Sequence, residues 1–181
     1  MEFGELSRTV LADVARCVES ADPSQVDALV DALAAKRRVF LIGTGRSGAM
    51  LRAMAVRLGH LDVEAHVLGS AGHAPIEEGD LVLVGSGSGE TPVPAELARA
   101  ANNAGAKLAV ITAAPDSAIA RLAQIVIHIP APVTPPDGTP HTLRSLFEEC
   151  LLIVCDCVCR LLQDRLGLSA GDMQSRHSAV E

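Results

Sequence analysis

Two short segments hold most of the groups in this chain that could bind an anion. Gly43-Thr44-Gly45-Arg46-Ser47-Gly48 and Ser86-Gly87-Ser88-Gly89-Glu90-Thr91 each follow an apolar run, Val39–Ile42 and Leu81–Gly85, and each opens a helix-like stretch. A strand, a tight Gly/Ser turn and a helix N-terminus aim unpaired N–H groups and a positive dipole end at one point, which suits a phosphate. In the second segment Ser86, Ser88 and Thr91 place hydroxyls at i, i+2 and i+5, able to surround a phosphate without a metal. In the first, Ser47 adds a hydroxyl and Arg46 a charge. The expected binding set for a phosphorylated small molecule is therefore Gly45, Arg46 and Ser47 with Ser86, Gly87, Ser88, Gly89, Glu90 and Thr91. The same serines also suit helix capping and turn shaping, so the weight falls on the set rather than on any one of them.

Regular alternation of elements must position these turns. Leu6 to Ser20 reads as a first helix, and Pro23 at an N1 position opens a second through Leu33, so that helices fill residues 6–36. Strands are expected at Val39–Ile42, Glu64–Leu68, Leu81–Gly85, Leu108–Thr112 and Ile125–Ile129. Between them lie helical stretches at 47–61 and 92–104 and a short one at 117–122, with Gly105 as a C-cap glycine. A βαβ series with near-continuous apolar strands means an α/β fold: a doubly wound five-stranded parallel sheet with helices on both faces. In the order 2-1-3-4-5 the switch point falls between strands 1 and 3, and ligands bind at the carboxyl ends there. Both turns then border one crevice. Residues 130–140, with five prolines, read as an irregular loop. The last long helix, Leu143–Leu166, is apolar over much of its circumference and is expected to be buried, in part against another subunit.

Composition narrows the function classes. The 181 residues fit one domain, 1–181, and 49% are apolar, yet there is no Trp or Tyr and only three Phe. Ala, Leu, Val and Ile must therefore build the core. Net charge is −7, with no basic run and no aromatic platform for bases, which argues against nucleic acid as a partner. No apolar run approaches the roughly 20 residues of a membrane span, and the start lacks a secretory pattern, so a cytoplasmic protein is expected. Cys150, Cys155, Cys157 and Cys159 share one apolar stretch and Cys17 stands apart. On a helix Cys155 and Cys159 share a face while Cys157 points nearly opposite, so the set reads as small hydrophobes rather than a metal site. An odd count also argues against a disulfide framework.

A dinucleotide competes for the first turn, since residues 43–48 satisfy G-x-G-x-x-G after a strand. The confirming feature is an acidic residue ending the second strand, to hold a ribose. That strand instead ends His66-Val67-Leu68-Gly69-Ser70, with Glu64 at its start. Nor does a dinucleotide site require the second turn.

G-T-G-R-S-G followed by R-L-G-H-L-D-V-E-A-H-V-L-G, then E-G-D-L-V-L-V-G-S-G-S-G-E-T, P-D-S-A-I-A-R-L-A, S-L-F-E-E and a terminal R-H-S-A-V-E resemble the sugar isomerase (SIS) domain. More narrowly they resemble the 6-phospho-3-hexuloisomerase family of the ribulose monophosphate pathway, from about Ser24 to Glu181. The resemblance implies a flavodoxin-like fold, a homotetramer and no cofactor. It implies interconversion of D-arabino-hex-3-ulose 6-phosphate with fructose 6-phosphate through a cis-enediol. It puts the catalytic base at Glu148 in S-L-F-E, where flanking Leu146, Phe147 and Leu151 would desolvate the carboxylate and strengthen it as a base. The residues alone leave open a second role for Glu148, complementing the helix dipole. His60 matches a family histidine that assists ring opening or stabilises the enediolate oxygen across a subunit boundary; a histidine ending a helix also suits the dipole. His177 is expected to close over a neighbouring site. Departures from the family fall at His73, at His141 and Arg144 ahead of the proposed base, and at Glu149, where relatives usually carry Gln. An isomerase of another phosphosugar, or a non-catalytic sugar-phosphate-binding protein, would carry the same two turns.

Overall fold

A computed structural model describes residues 2–35, 38–69, 74–132, 139–143 and 145–177. His73, Arg144, most of the proline-rich loop and the last four residues of the terminal motif lie outside them. Five strands, Arg38–Ile42 (β1), Glu64–Val67 (β2), Leu81–Gly85 (β3), Lys107–Thr112 (β4) and Ile125–His128 (β5), form one parallel sheet in the order β2-β1-β3-β4-β5. This is the expected doubly wound topology. The three central strands, β1, β3 and β4, are short, nearly continuous apolar runs because both of their faces are covered, whereas the edge strand β2 carries Glu64 and His66.

Helices Phe3–Glu19 (α1), Pro23–Ala35 (α2), Gly45–His60 (α3) and Ser145–Arg165 (α6) cover one face; Pro92–Asn103 (α4) and Ala118–Leu122 (α5) cover the other. Alternate strand residues divide accordingly. Val39, Leu41, Leu81, Leu83, Ala109 and Ile111 point to the first layer, and Phe40, Ile42, Val82, Val84, Leu108 and Val110 to the second. Both apolar layers are made almost wholly of aliphatic side chains, with Phe40 and Phe147 the largest buried ones. Among the described residues no helix is long and apolar enough to cross a membrane.

α6 is more sharply two-sided than its composition suggests. Leu146, Phe147, Cys150, Leu151, Val154, Cys155, Val158, Cys159 and Leu162 are buried against α1, α2, α3 and the sheet, whereas Ile153, Cys157 and Leu161 face outward. The cysteines divide as the helical period requires, with Cys155 and Cys159 inside and Cys157 outside. A short helix, Ala170–Ser175 (α7), begins with a capping box in which Ser169 and Asp172 satisfy each other's backbone N–H. Six residues carry no legible helical period, so spacing alone does not mark this helix.

Candidate active site

The first turn joins β1 to α3 in a space that excludes side chains at two positions. A Cβ on Gly48 would lie 2.5 Å from the Gly43 carbonyl oxygen, and one on Gly43 would lie 3.0 Å from the Gly48 Cα. The strand end and the first helical turn are in contact through bare backbone. Gly45 adopts φ +56°, the left-handed conformation that starts the helix without a side-chain cap from Thr44. The first intrahelical hydrogen bond runs from the Gly48 N–H to the Thr44 carbonyl at 3.2 Å, so the N–H groups of Gly45, Arg46 and Ser47 precede it. Among the described residues nothing takes the Ser47 hydroxyl.

The second turn follows β3 and is fixed from beneath. Ala113 N–H and the Thr112 hydroxyl both donate to the Gly87 carbonyl, at 3.1 and 3.3 Å, and Ile119 N–H donates to the Gly89 carbonyl. Gly89 has φ +60°, and a Cβ there would lie 1.9 Å from Ser117 Oγ. Inside the turn Ser86 Oγ accepts the Gly89 N–H at 3.1 Å and Ser88 Oγ accepts the Glu90 N–H at 3.3 Å. Thr91 Oγ1 lies 3.4 Å from Ser86 Oγ and 3.5 Å from Ser88 Oγ, so the three hydroxyls form one cluster. The Glu90 carboxylate turns away to accept the Ala118 N–H at the start of α5. α4 begins Pro92-Val93-Pro94, which removes two of the N–H donors a helix start ordinarily offers. The anion-binding capacity of this turn therefore rests on hydroxyls and loop amides more than on a helix dipole.

Glu148 lies between the turns. Its predecessor Phe147 packs on the second: a Cβ on Gly87 would meet the ring at 3.1 Å. Gly85, two residues earlier, gives way in the same manner to Leu51 and Leu151. Glu148 itself reaches the first turn, where its Oε2 pairs with Arg46 Nε at 3.1 Å. Its side chain is 14% exposed and that of Arg46 55%, so the carboxylate is largely withdrawn from water while its partner borders solvent. The sequence marked both residues but aimed Arg46 at a phosphate; their contact, 102 positions apart, has no local signal.

His60 and His177 form a separate pair. Their rings stack with centroids 5.1 Å apart, and Arg176 reaches the His60 carbonyl. His60 ends α3, whose first residue belongs to the first turn, and fifteen helical steps place it about 22 Å away along the axis. Within one chain these histidines do not join Glu148. Glu64, the one acid near a dinucleotide ribose position in sequence, starts β2 opposite Arg38 at the far edge of the sheet and pairs with His66.

The sequence pattern of the SIS domain family matches residues 32–143. The chain belongs to the SIS domain family. The matched span takes in both turns, all five strands and His60, and Glu148 lies just beyond it. Over nearly the whole chain this SIS protein is similar to the 3-hexulose-6-phosphate isomerase of Mycobacterium gastri, at 39% identity over 93% of this chain and 86% of that protein. It is 32% identical to the 3-hexulose-6-phosphate isomerase of Bacillus subtilis, each covered completely. Among solved structures, a Methanococcus jannaschii protein whose structure infers a function of 3-hexulose-6-phosphate isomerase superposes with a TM-score of 0.81 at 26% identity, covering 97% of both chains. The narrower resemblance read from the turns and from S-L-F-E thus extends to relatives of that name.

Proposed function

We propose that this SIS protein is a phosphosugar isomerase that interconverts D-arabino-hex-3-ulose 6-phosphate and fructose 6-phosphate, with Glu148 as the base. The observation that supports this most is the position of Glu148: its helix packs on the second turn and its carboxylate pairs with the first. A phosphate held by Ser47, Ser88 and Thr91 would lay the sugar chain across that carboxylate. The names of the full-length relatives supply the substrate class.

The reaction moves a carbonyl from C3 to C2. Glu148 takes the proton from C2, leaving a cis-enediolate spread over C2 and C3, and returns it to C3. A hydroxyl proton passes between O2 and O3. One carboxylate over one face of the enediol serves both carbon transfers, so no second base on carbon is needed. Arg46, already on Glu148, is placed to follow negative charge as it moves from the carboxylate onto the enediolate oxygens. His60 would assist the oxygen transfer only if a second copy of the chain supplies it, which agrees with a homo-oligomer whose sites lie between subunits.

The test is turnover of enzymatically generated hex-3-ulose 6-phosphate, read as fructose 6-phosphate formed, by wild type and Glu148→Gln. The substitution keeps the shape and removes the base, and kcat is expected to fall about 100-fold or more. Wild-type turnover that survives in Glu148→Gln would remove Glu148 from the mechanism. Absence of wild-type turnover would remove the reaction.

A further inference from the structure

His141 is buried where no part of the proposed chemistry uses it. Its side chain is 3% exposed and lies between two carboxylates from different helices. Nε2 is 3.1 Å from Asp13 Oδ2 on α1, and Nδ1 is 3.3 Å from Glu149 Oε2 on α6. The second contact is not aligned as a hydrogen bond, and both of its atoms are sealed from solvent with no other hydrogen-bond partner among the described residues. Asp13 is held from its other side by Arg16 at 2.6 Å. Burial pushes the Asp13 carboxyl up, but the hydrogen bonds and charges of Arg16 and His141 outweigh it, and the net direction is down. The chain Arg16–Asp13–His141–Glu149 therefore ties α1 to the first turns of α6. Around it α1 and α6 meet through apolar and thiol groups, with Cys150 Sγ against the Val14 carbonyl and Cys17 close by.

We propose that His141 is a positioning residue: a polar strut between Asp13 and Glu149 that fixes the entry of α6 and so aims Glu148, the residue beside Glu149, at the substrate. This rests on the isomerase reading above. A second observation supports it. Leu143, between His141 and the helix, is 84% exposed and has φ +51°, a conformation that costs a branched residue energy and persists only where the surroundings over-determine it. The side chain itself is free in solvent, so the restraint comes from the backbone at either end. Upstream that restraint is His141, whose own N–H is also bonded to Thr139 Oγ1. Downstream it is the Ser145 N–H on the Thr142 carbonyl. Cutting the strut leaves the strained link free to relax, and the first turn of α6 moves with it. A displacement of about 1 Å at a base is enough to lower a rate tenfold or more.

The variants are His141→Leu, which fills the space without a polar atom, His141→Gln, which can still donate, and Glu149→Gln, which weakens one end at constant volume. With hex-3-ulose 6-phosphate, His141→Leu is expected to lower kcat about 10-fold with KM within about twofold, and His141→Gln to recover kcat to within about threefold of wild type. If His141→Leu does not fold, Glu149→Gln carries the same test, with an expected kcat loss of about threefold. The strut is overturned if a folded His141→Leu or Glu149→Gln keeps wild-type kcat, if KM rises as much as kcat falls, or if His141→Gln is as impaired as His141→Leu. Should the wild type show no turnover, the isomerase reading fails separately, and amide hydrogen exchange in residues 145–149 decides the strut. Faster exchange in His141→Leu than in wild type and His141→Gln supports it, and equal exchange overturns it.

Discussion

A carboxylate proposed to take a proton from carbon has to be held in place and kept partly dry. At Glu148 both conditions come from its neighbours: Phe147 sits on a glycine that leaves room for the ring, and Arg46 closes the other side. The glycines divide by the reason they are needed. Gly45 needs only its positive φ, since a Cβ there would meet nothing within 4 Å, whereas Gly48 needs the absence of the Cβ itself. Gly48→Ala is accordingly expected to cost about 2–4 kcal/mol through overpacking against the Gly43 carbonyl, and Gly45→Ala about 1 kcal/mol through backbone strain. Denaturant titration of the two variants checks this, and equal losses would contradict the steric account. The motif G-T-G-R-S-G was legible as a tight turn from a strand into a helix. Which of its glycines bears the steric load was not, because that depends on a backbone contact formed only when strand and helix meet.

Among the helices, α6 shows how far spacing alone reaches. Its period placed Cys155, Cys157 and Cys159 correctly, because a helical face follows from spacing alone. The outcome is one exposed thiol and four buried ones. Native protein treated with a thiol reagent should label Cys157 quickly and the other four only on unfolding; a second fast thiol would mean that α6 or α1 opens. Burial, aided by nearby negative groups, pushes Cys150 and Cys159 up to about 12 from an ordinary 9.0. A thiol that ionises later folded than unfolded contributes stability below the unfolded value and loses it as pH climbs toward the folded one. Stability should therefore decline across pH 9–12, and less so in Cys150→Ser/Cys159→Ser measured relative to its own neutral-pH stability. At the start of α4, Pro92 and Pro94 replace two of the N–H donors that a helix ordinarily offers, so the proposed anion site would lean on Ser88 and Thr91.

At the scale of the whole molecule, the alternation of apolar runs and helical stretches was enough to read a five-stranded parallel sheet, and the order 2-1-3-4-5 sets two turns 43 residues apart at the ends of neighbouring strands. The contacts that finish the site were not readable in this way. Arg46 to Glu148 and Asp13 to His141 cross from one element to another with no pattern linking them, and they exist only once α1, α3 and α6 share a face of the sheet. His60 lies at the end of α3 remote from its own turn, so a site that uses it must be shared between chains. Mixing Glu148→Gln subunits with His60→Ala subunits, each inactive alone, should then restore activity to about a quarter of wild type after reassembly, the fraction of sites that receive both intact residues. A mixture that stays inactive would remove His60 from the shared site.

The packing of α6 against α1, α2 and α3 also sets an order of events during synthesis. α1 and α2 leave the ribosome before α6, and the face they turn toward Cys150, Val154 and Val158 has no cover until α6 follows, more than a hundred residues later. Until then the nascent chain carries an uncovered apolar surface of the kind that chaperones bind. The helix that ends this exposure is the one that bears Glu148, so the chain becomes safe from aggregation and acquires its proposed base in the same step.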